Sequence, residues 1–306
     1  MGIWVYKDKQ GWYQKLFDSL QRLGIHSRIF LEEQEIDITD NHPIVFIHMT
    51  HYGVDLREQN KQLVEKLTKR NNLCLIPTIV ECRLYDNKIL QYKSFPDWMP
   101  KTWYITNFEE AIKIIDIIEF PFISKASEGA GSSNVRFIEN RKQALEEDNK
   151  VFKEDGITCW LKNKQKGYLL WQKFIPGNSN DWRVILLAKK YAMILKRYNR
   201  PDIPFASGSG NMECIQEISS IEHQSALEYT RAFAEKFDFV FLGVDILFDK
   251  KNKPIILETT TGWGFDAYSN CRIFEFTKSG WVPTQYKGRT MFDLVAKLIT
   301  TNKFER

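Results

Sequence analysis

The chain has 306 residues and a net charge of +4, too mild to single out nucleic acid or an anionic membrane as a partner. Its length suits two domains, or one with a large insertion, and a composition of 43 % apolar and 27 % charged residues excludes wholesale disorder. No run approaches 18 uncharged apolar residues, so no membrane-spanning segment is expected.

In chain order, Ile3–Tyr6 reads as a strand and 12–23 as an amphipathic helix stopped by Gly24. IVFIHM at 44–49 and LCLI at 73–76 are apolar throughout, as in strands covered on both faces, with a helix over 54–70 between them. That is a βαβ pattern, predicting a small parallel sheet. Pro96 and Pro100 then punctuate a boundary. Asn107 and Glu110 form a capping-box variant before a stripe of Ile112, Ile115 and Ile118. Strands follow at 120–126 and 135–138 around the loop SEGAGSSN, and a charged helix at 140–155. From Tyr168 the chain turns mostly to strands, YLLWQKFI, WRVILLA and YAMILKR. Ser219 and Glu222 suggest a second capping box, before a helix carrying Ala226, Tyr229, Phe233 and Phe237. Strands at 240–248 and 254–258, a Trp-rich stretch and a helix near 292–299 complete the pattern. The N-terminal MGIWVYKDKQ has no cationic segment leading into an apolar run, so no secretion signal is expected. Five scattered cysteines without a CxxC pair predict neither a zinc site nor a disulfide framework, and fit a reducing cytoplasm.

The segment GVDILFDKKNKPIILETT carries the sharpest chemical signal. A four-residue hairpin loop at 250–253 pairs Asp249 with Pro254 and sets Asp245 opposite Glu258. Gly243, Leu247, Ile256 and Thr260 then share their face, and Leu242, Val244, Ile246, Phe248, Ile255 and Leu257 form the opposite, apolar one. Like charges directly across a ladder repel. A hard divalent ion reverses that sign, and Mg²⁺ commonly binds one or two carboxylates together with substrate phosphates. Against this stands the plainer reading of two acids on a solvated face.

Lys125 ends the strand FPFISKA and leads into a loop where Gly129 and Gly131 permit close backbone approach and Ser127, Ser132 and Ser133 add hydroxyl donors. Such a loop suits phosphate binding, although the pattern is neither a Walker loop nor GxGxxG, and Gly/Ser loops are commonly simple turns. Arg183 and Arg197 fall on adjoining strands. A three-residue loop at or one position from 188–190 pairs 183 with 197 on one face, whereas a two-residue loop puts them on opposite faces.

Taken in order, these segments resemble the ATP-grasp superfamily, most closely its ribosomal-protein glutamate ligase and glutathione synthetase-like branch. The resemblance runs from about Asp86 to Trp263. It implies an α+β fold, two α+β subdomains clasping ATP, preceded by a small α/β parallel-sheet pre-ATP-grasp domain. The boundaries it suggests are 1–90 for that domain, 91–172 for the small subdomain with the glycine loop, and 173–306 for the large subdomain with the metal site. DNKILQYKSFPDWMPKT resembles the family's first nucleotide-lysine segment and implies that role for Lys88. SKASEGAGSSNV implies Lys125 on the α/β-phosphates under a mobile glycine loop. WQKFI resembles the hinge that carries adenine, implying Gln172, Lys173, Phe174 and Ile175, with Lys173 where the family usually has Glu. DWRV and LKR imply Asp181 at the nucleotide and Arg183 and Arg197 near the γ-phosphate or an acyl phosphate. GVDIL and LETT imply Asp245 and Glu258 as Mg²⁺ ligands, with Thr260 replacing the family's Asn.

The resemblance implies ATP and two Mg²⁺ ions, and ATP-dependent carboxylate–amine ligation through an acyl phosphate. Its substrates would be a small-molecule or peptide carboxylate and an amine, with no nucleic acid, no membrane and homodimerisation left open. Two rivals on the same scaffold are a small-molecule kinase and an ATP-binding regulatory module. His48 and His51 follow a strand of the parallel sheet, where such sheets present ligands, and are candidates for the substrate. Arg200, Ser209 within SGSGN and Trp263 within WGFD are candidates for the acceptor side.

Overall fold

The computed structural model describes residues 2–37, 42–49, 54–70, 72–160, 163–264 and 266–301. Among these the elements run β1 (Ile3–Tyr6), α1 (Trp12–Arg22), β2 (Ser27–Phe30), β3 (Ile44–Phe46), α2 (Val54–Thr68), β4 (Cys74–Ile76), α3 (Ile79–Leu84), α4 (Lys88–Ser94), β5 (Thr102–Ile105), α5 (Phe108–Ile115), β6 (Phe122–Lys125) and β7 (Val135–Ile138). They continue with α6 (Arg141–Phe152), β8 (Ile157–Thr158), β9 (Lys164–Gln165), β10 (Leu169–Lys173), β11 (Asn180–Leu187), β12 (Tyr191–Tyr198), β13 (Met212–Cys214), α7 (Ile221–Phe237), β14 (Phe241–Phe248), β15 (Pro254–Thr260), β16 (Arg272–Thr277), β17 (Gly280–Lys287) and α8 (Met291–Thr300).

The first sheet is parallel in the order β2-β1-β3-β4. Its strands are apolar because both faces are covered, the usual state of parallel sheets. The polar–apolar mix of SRIF hid β2 from the sequence reading. Helix α1 begins where it does because the buried Asp8 carboxylate accepts the backbone N–H groups of Gln10, Trp12 and Tyr13, the last two among the donors a helix start leaves unpaired. The apolar side of α1 lies against α8, so Leu16 and Leu20 share a core with Val295 and Ile299.

Two antiparallel sheets follow. The smaller runs β5-β10-β6-β7, and α5 and α6 cover it through Ile115, Ala144, Val151 and Trp171. The larger runs β15-β14-β11-β12-β16-β17, with β13 paired to β12. One side of it packs on α7 through Val184, Ile194, Phe233 and Val244, while the other meets the first sheet through Ile185, Phe241 and Trp263. This parallel sheet followed by two antiparallel ones is the mixed α+β architecture expected.

Several local expectations shift. Ser220, not Ser219, caps α7, its hydroxyl accepting from the N–H of His223. The Pro-rich stretch is preceded by α3 and α4, both too short to leave a periodic signal. The expected boundary at 90 falls within α4, and Gln91 of α4 bonds the backbone of Thr259 in β15 in both directions. The cysteine reading is corrected: Cys214 at the end of β13 and Cys271 before β16 form a disulfide across 57 residues, a separation that gives no sequence signal. Cys74, Cys82 and Cys159 take no part in this bridge. Among the described residues no helix is long and apolar enough to cross a membrane.

Candidate active site

The two antiparallel sheets face each other across a cleft of about 310 Å³. Lys88, Lys125, Gly129, Gly131, Ser132, Gln172, Lys173, Phe174, Ile175, Asp181, Arg183, Asp245, Glu258, Thr260 and Trp263 all line it. Residues dispersed over 176 positions thus converge because strand ends and the β6–β7 loop open on one side.

Asp245 and Glu258 are direct partners across β14 and β15, as the sequence suggests, but by another route. The hairpin loop spans five residues, since Phe248 pairs with Pro254, and a β-bulge between 245 and 246 absorbs the extra residue at Leu257. Ile256 is consequently buried against Val244 and Ile246, while Leu257 lines the cleft, reversing the faces expected for these two.

The arginines also need a correction. The loop is the three residues 188–190, which sets Asp181 opposite Arg197 and Arg183 opposite Leu195. Both arginines keep the same face because Leu195, directly opposite Arg183, lies two residues from Arg197 along β12. Arg183 pairs with Asp245 through two bonds of 2.5 and 2.7 Å. Arg197 grips Asp181 at 2.6 and 2.7 Å and reaches Asp245 at 2.8 Å. Lys88 lies 3.1 Å from Glu258. The opposed acids are therefore compensated by the protein's own cations, so a divalent ion is not needed to offset the repulsion expected between them.

These contacts set the proton equilibria. Burial would raise Asp245, but Arg183 and Arg197 hold it far below the usual carboxylate range. For Asp181 burial outweighs Arg197 and its value rises. Burial works against the Lys88 charge, yet Glu258 and Asp86 raise it above its ordinary value. Lys125 differs: burial, with Lys88 nearby, drives its ammonium down to about 8 despite Glu258 and Asp245.

The glycine loop, 126–134, is held by side chains. The Gly129 N–H donates to Asp86 at 2.7 Å, its carbonyl accepts from Lys88 at 2.9 Å, and Asn134 bonds the carbonyl of Glu128 at 2.8 Å. Gly129 has φ +119°, and a Cβ there would lie 2.2 Å from the Asn134 amide nitrogen, so a side chain at this position would be strained and would displace Asn134.

Some candidates lie elsewhere. Ser127 is buried behind the loop, its carbonyl accepting from the Lys88 N–H that opens α4. The Lys173 ammonium pairs with Glu119 at 2.9 Å. Arg200 does not line the cleft; its guanidinium spans the carbonyls of Gly131 and Ser207 at 3.0 and 2.9 Å. Ser209 is spent on a turn with Asn211. His48 is buried, its ring stacked on Trp12 at 4.1 Å, and is part of the core rather than of the cleft. His51 lies outside the described residues. The Thr260 hydroxyl donates to the Gly262 carbonyl at 2.7 Å and accepts from its N–H at 3.1 Å, leaving one lone pair for any ion. The sequence reading missed Asp86, Tyr85 and Asn199, of which the first stood two residues from Lys88 as a local signal.

Two carboxylates on adjoining strands form a hard-oxygen donor set that fits Mg²⁺. Among the described residues no group of three or more His, Cys, Asp and Glu side chains could hold a metal alone. An ion here would complete its shell with phosphate and water oxygens.

A parallel α/β sheet ahead of two antiparallel α+β units with a basic, acid-tipped cleft between them defines an ATP-grasp protein. The RimK-like ATP-grasp domain model matches residues 88–273, well over half of the chain, and the chain belongs to that family. Its fold is similar to the ATP-grasp ligase PsnB complexed with a minimal precursor, Mg and ADP, at 12 % identity over 100 % of this chain and 98 % of that one, TM-score 0.63. It is also similar to D-cycloserine synthetase DcsG, at 12 % identity over 86 % and 92 %, TM-score 0.59. A third likeness is to a RimK domain ATP-grasp protein from Sphaerobacter thermophilus DSM 20745, at 11 % identity over 87 % and 93 %, TM-score 0.56. Comparison with curated protein sequences returns no match.

Proposed function

We propose that the chain is an ATP-dependent carboxylate–amine ligase working through an acyl phosphate. The observation that carries this reading is the convergence of Lys88, Lys125 and Arg183 with the Asp245–Glu258 pair in one cleft. Phosphoryl transfer asks a protein mainly for positioning and charge neutralisation. Lys125, at the end of β6, faces the phosphates, and burial keeps its charge costly until they arrive. Gln172 to Ile175 hold the base through backbone groups. Asp245 and Glu258 would hold the Mg²⁺ ions, which neutralise the polyphosphate charge. Arg183 and Arg197 keep Asp245 ionised and oriented. A substrate carboxylate oxygen then bonds the γ-phosphorus as the bond to ADP breaks. The amine next bonds the acyl carbon, phosphate leaves, and the nitrogen gives up a proton.

The likeness, over nearly the whole of both chains, to a ligase solved with a precursor peptide supports peptides as the first substrates to try, with Tyr85 and Trp263 as apolar walls of the acceptor side. The test is incubation with Mg·ATP, a panel of peptide and small carboxylates, and hydroxylamine. A hydroxamate formed with stoichiometric ADP supports ligation. A stable phosphorylated product without hydroxamate makes the chain a kinase, and nucleotide binding without turnover makes it a regulatory module.

A further inference from the structure

The β6–β7 glycine loop is tethered from outside both antiparallel sheets. Arg57, buried on α2 of the first unit, lies between two carboxylates: Asp86, at 3.1 Å, and Glu128 at the start of the loop. Lys61, one turn further along α2, adds a second cation 3.1 Å from Glu128. Asp86 in turn accepts the Gly129 N–H, so the guanidinium organises both acids that touch the loop. Across the loop, Arg200 binds the carbonyl of Gly131. Neither Arg57 nor Glu128 takes part in the phosphoryl transfer proposed for the cleft. Yet an arginine held in low dielectric is costly unless its partners are fixed, and here one of those partners sits on the loop itself.

We infer that Arg57 is a positioning residue, whose pairing with Glu128 locks the glycine loop down over the phosphates and thereby ties nucleotide affinity to the placement of helix α2. The inference rests on the proposed nucleotide site and adds the control of its cover. If the locked loop is the binding-competent one, apparent affinity scales with the fraction locked. Any ligand that shifts α2 would then change that fraction.

The test uses the full chain and Mg·AMPPNP as the probe, with affinity by calorimetry and loop protection by hydrogen exchange over residues 127–134. Glu128→Gln leaves Arg57 paired to Asp86 and so keeps the fold. It should weaken Mg·AMPPNP binding about tenfold, a loss of one charge-assisted contact, and speed exchange in the loop but not in β6 or α6. Arg57→Met should weaken binding at least as much, and the double variant should be no weaker than Arg57→Met alone. Additive effects of the two substitutions, or unchanged affinity and unchanged exchange in Glu128→Gln, would overturn the lock. Failure of the unsubstituted chain to bind Mg·AMPPNP would instead overturn the nucleotide site, which separates the two claims.

Discussion

The two antiparallel sheets treat buried charge in opposite ways. In the large sheet, Asp181 and Asp245 each meet a guanidinium, and Arg197 bridges both. In the small unit, Lys125 is buried with its charge depressed to about 8. Asp148 of α6 is fully buried, both of its oxygens lacking a hydrogen-bond partner among the described residues, and burial pushes its carboxyl up to about 6. A compensated cluster on paired strands has its geometry fixed before any ligand arrives. An uncompensated lysine is a site awaiting negative charge, because its desolvation cost is recovered when phosphate oxygens approach. Under the proposed function, the carboxylates that would hold ions are the rigid ones on one jaw, and Lys125 on the other is the group that would seek phosphate.

Removing a guanidinium from the large sheet should have the largest effect. Arg197→Met leaves the buried Asp181 without its cation, Asp245 keeping Arg183, and should cost about 3–5 kcal/mol of stability, read as a steep fall in thermal unfolding temperature. An unchanged temperature would break the contrast. Lys125→Met should act with the opposite sign on the ligand-free chain. The folded value of about 8 lies below the ordinary 10.5, so the cost is complete below pH 8 and fades as pH rises towards 10.5. The substitution should therefore stabilise by about 1–2 kcal/mol at pH 7, with the gain lost at pH 10.5. Destabilisation at pH 7 would show Lys125 to be compensated after all. The smallest effect is expected for Asp148→Asn. Its folded value lies above the ordinary 3.8, so stability that is complete below that value declines as pH rises through 6. The variant should melt slightly higher than the parent at pH 7 and level with it at pH 4; a pH-independent difference would contradict the assignment.

Much of this was legible in the chain. Local pattern carries β1, α1, β7 and the Asn107 cap, and order carries the family resemblance. The Asp245–Glu258 pairing is correct although its loop is one residue longer than expected, because the bulge at Leu257 restores the register. What the sequence hid is non-local. Nothing near Asp245 announces Arg183 and Arg197 as its partners, since those contacts depend on β11 lying beside both β12 and β14. His48 looked like a ligand residue because it ends a parallel-sheet strand, but α1 brings Trp12 over its ring. The Arg57–Glu128 lock joins residues 71 positions apart on separate units, and Cys214–Cys271 likewise needed the fold to be seen.

The most direct measurement is a crystal structure of the chain grown with Mg·AMPPNP. The account predicts the purine against residues 172–175, the phosphates beside Lys88 and Lys125, and metal density touching carboxylate oxygens of both Asp245 and Glu258. Nucleotide seated outside this cleft, or an ion that leaves both carboxylates to the arginines and Lys88, would contradict it.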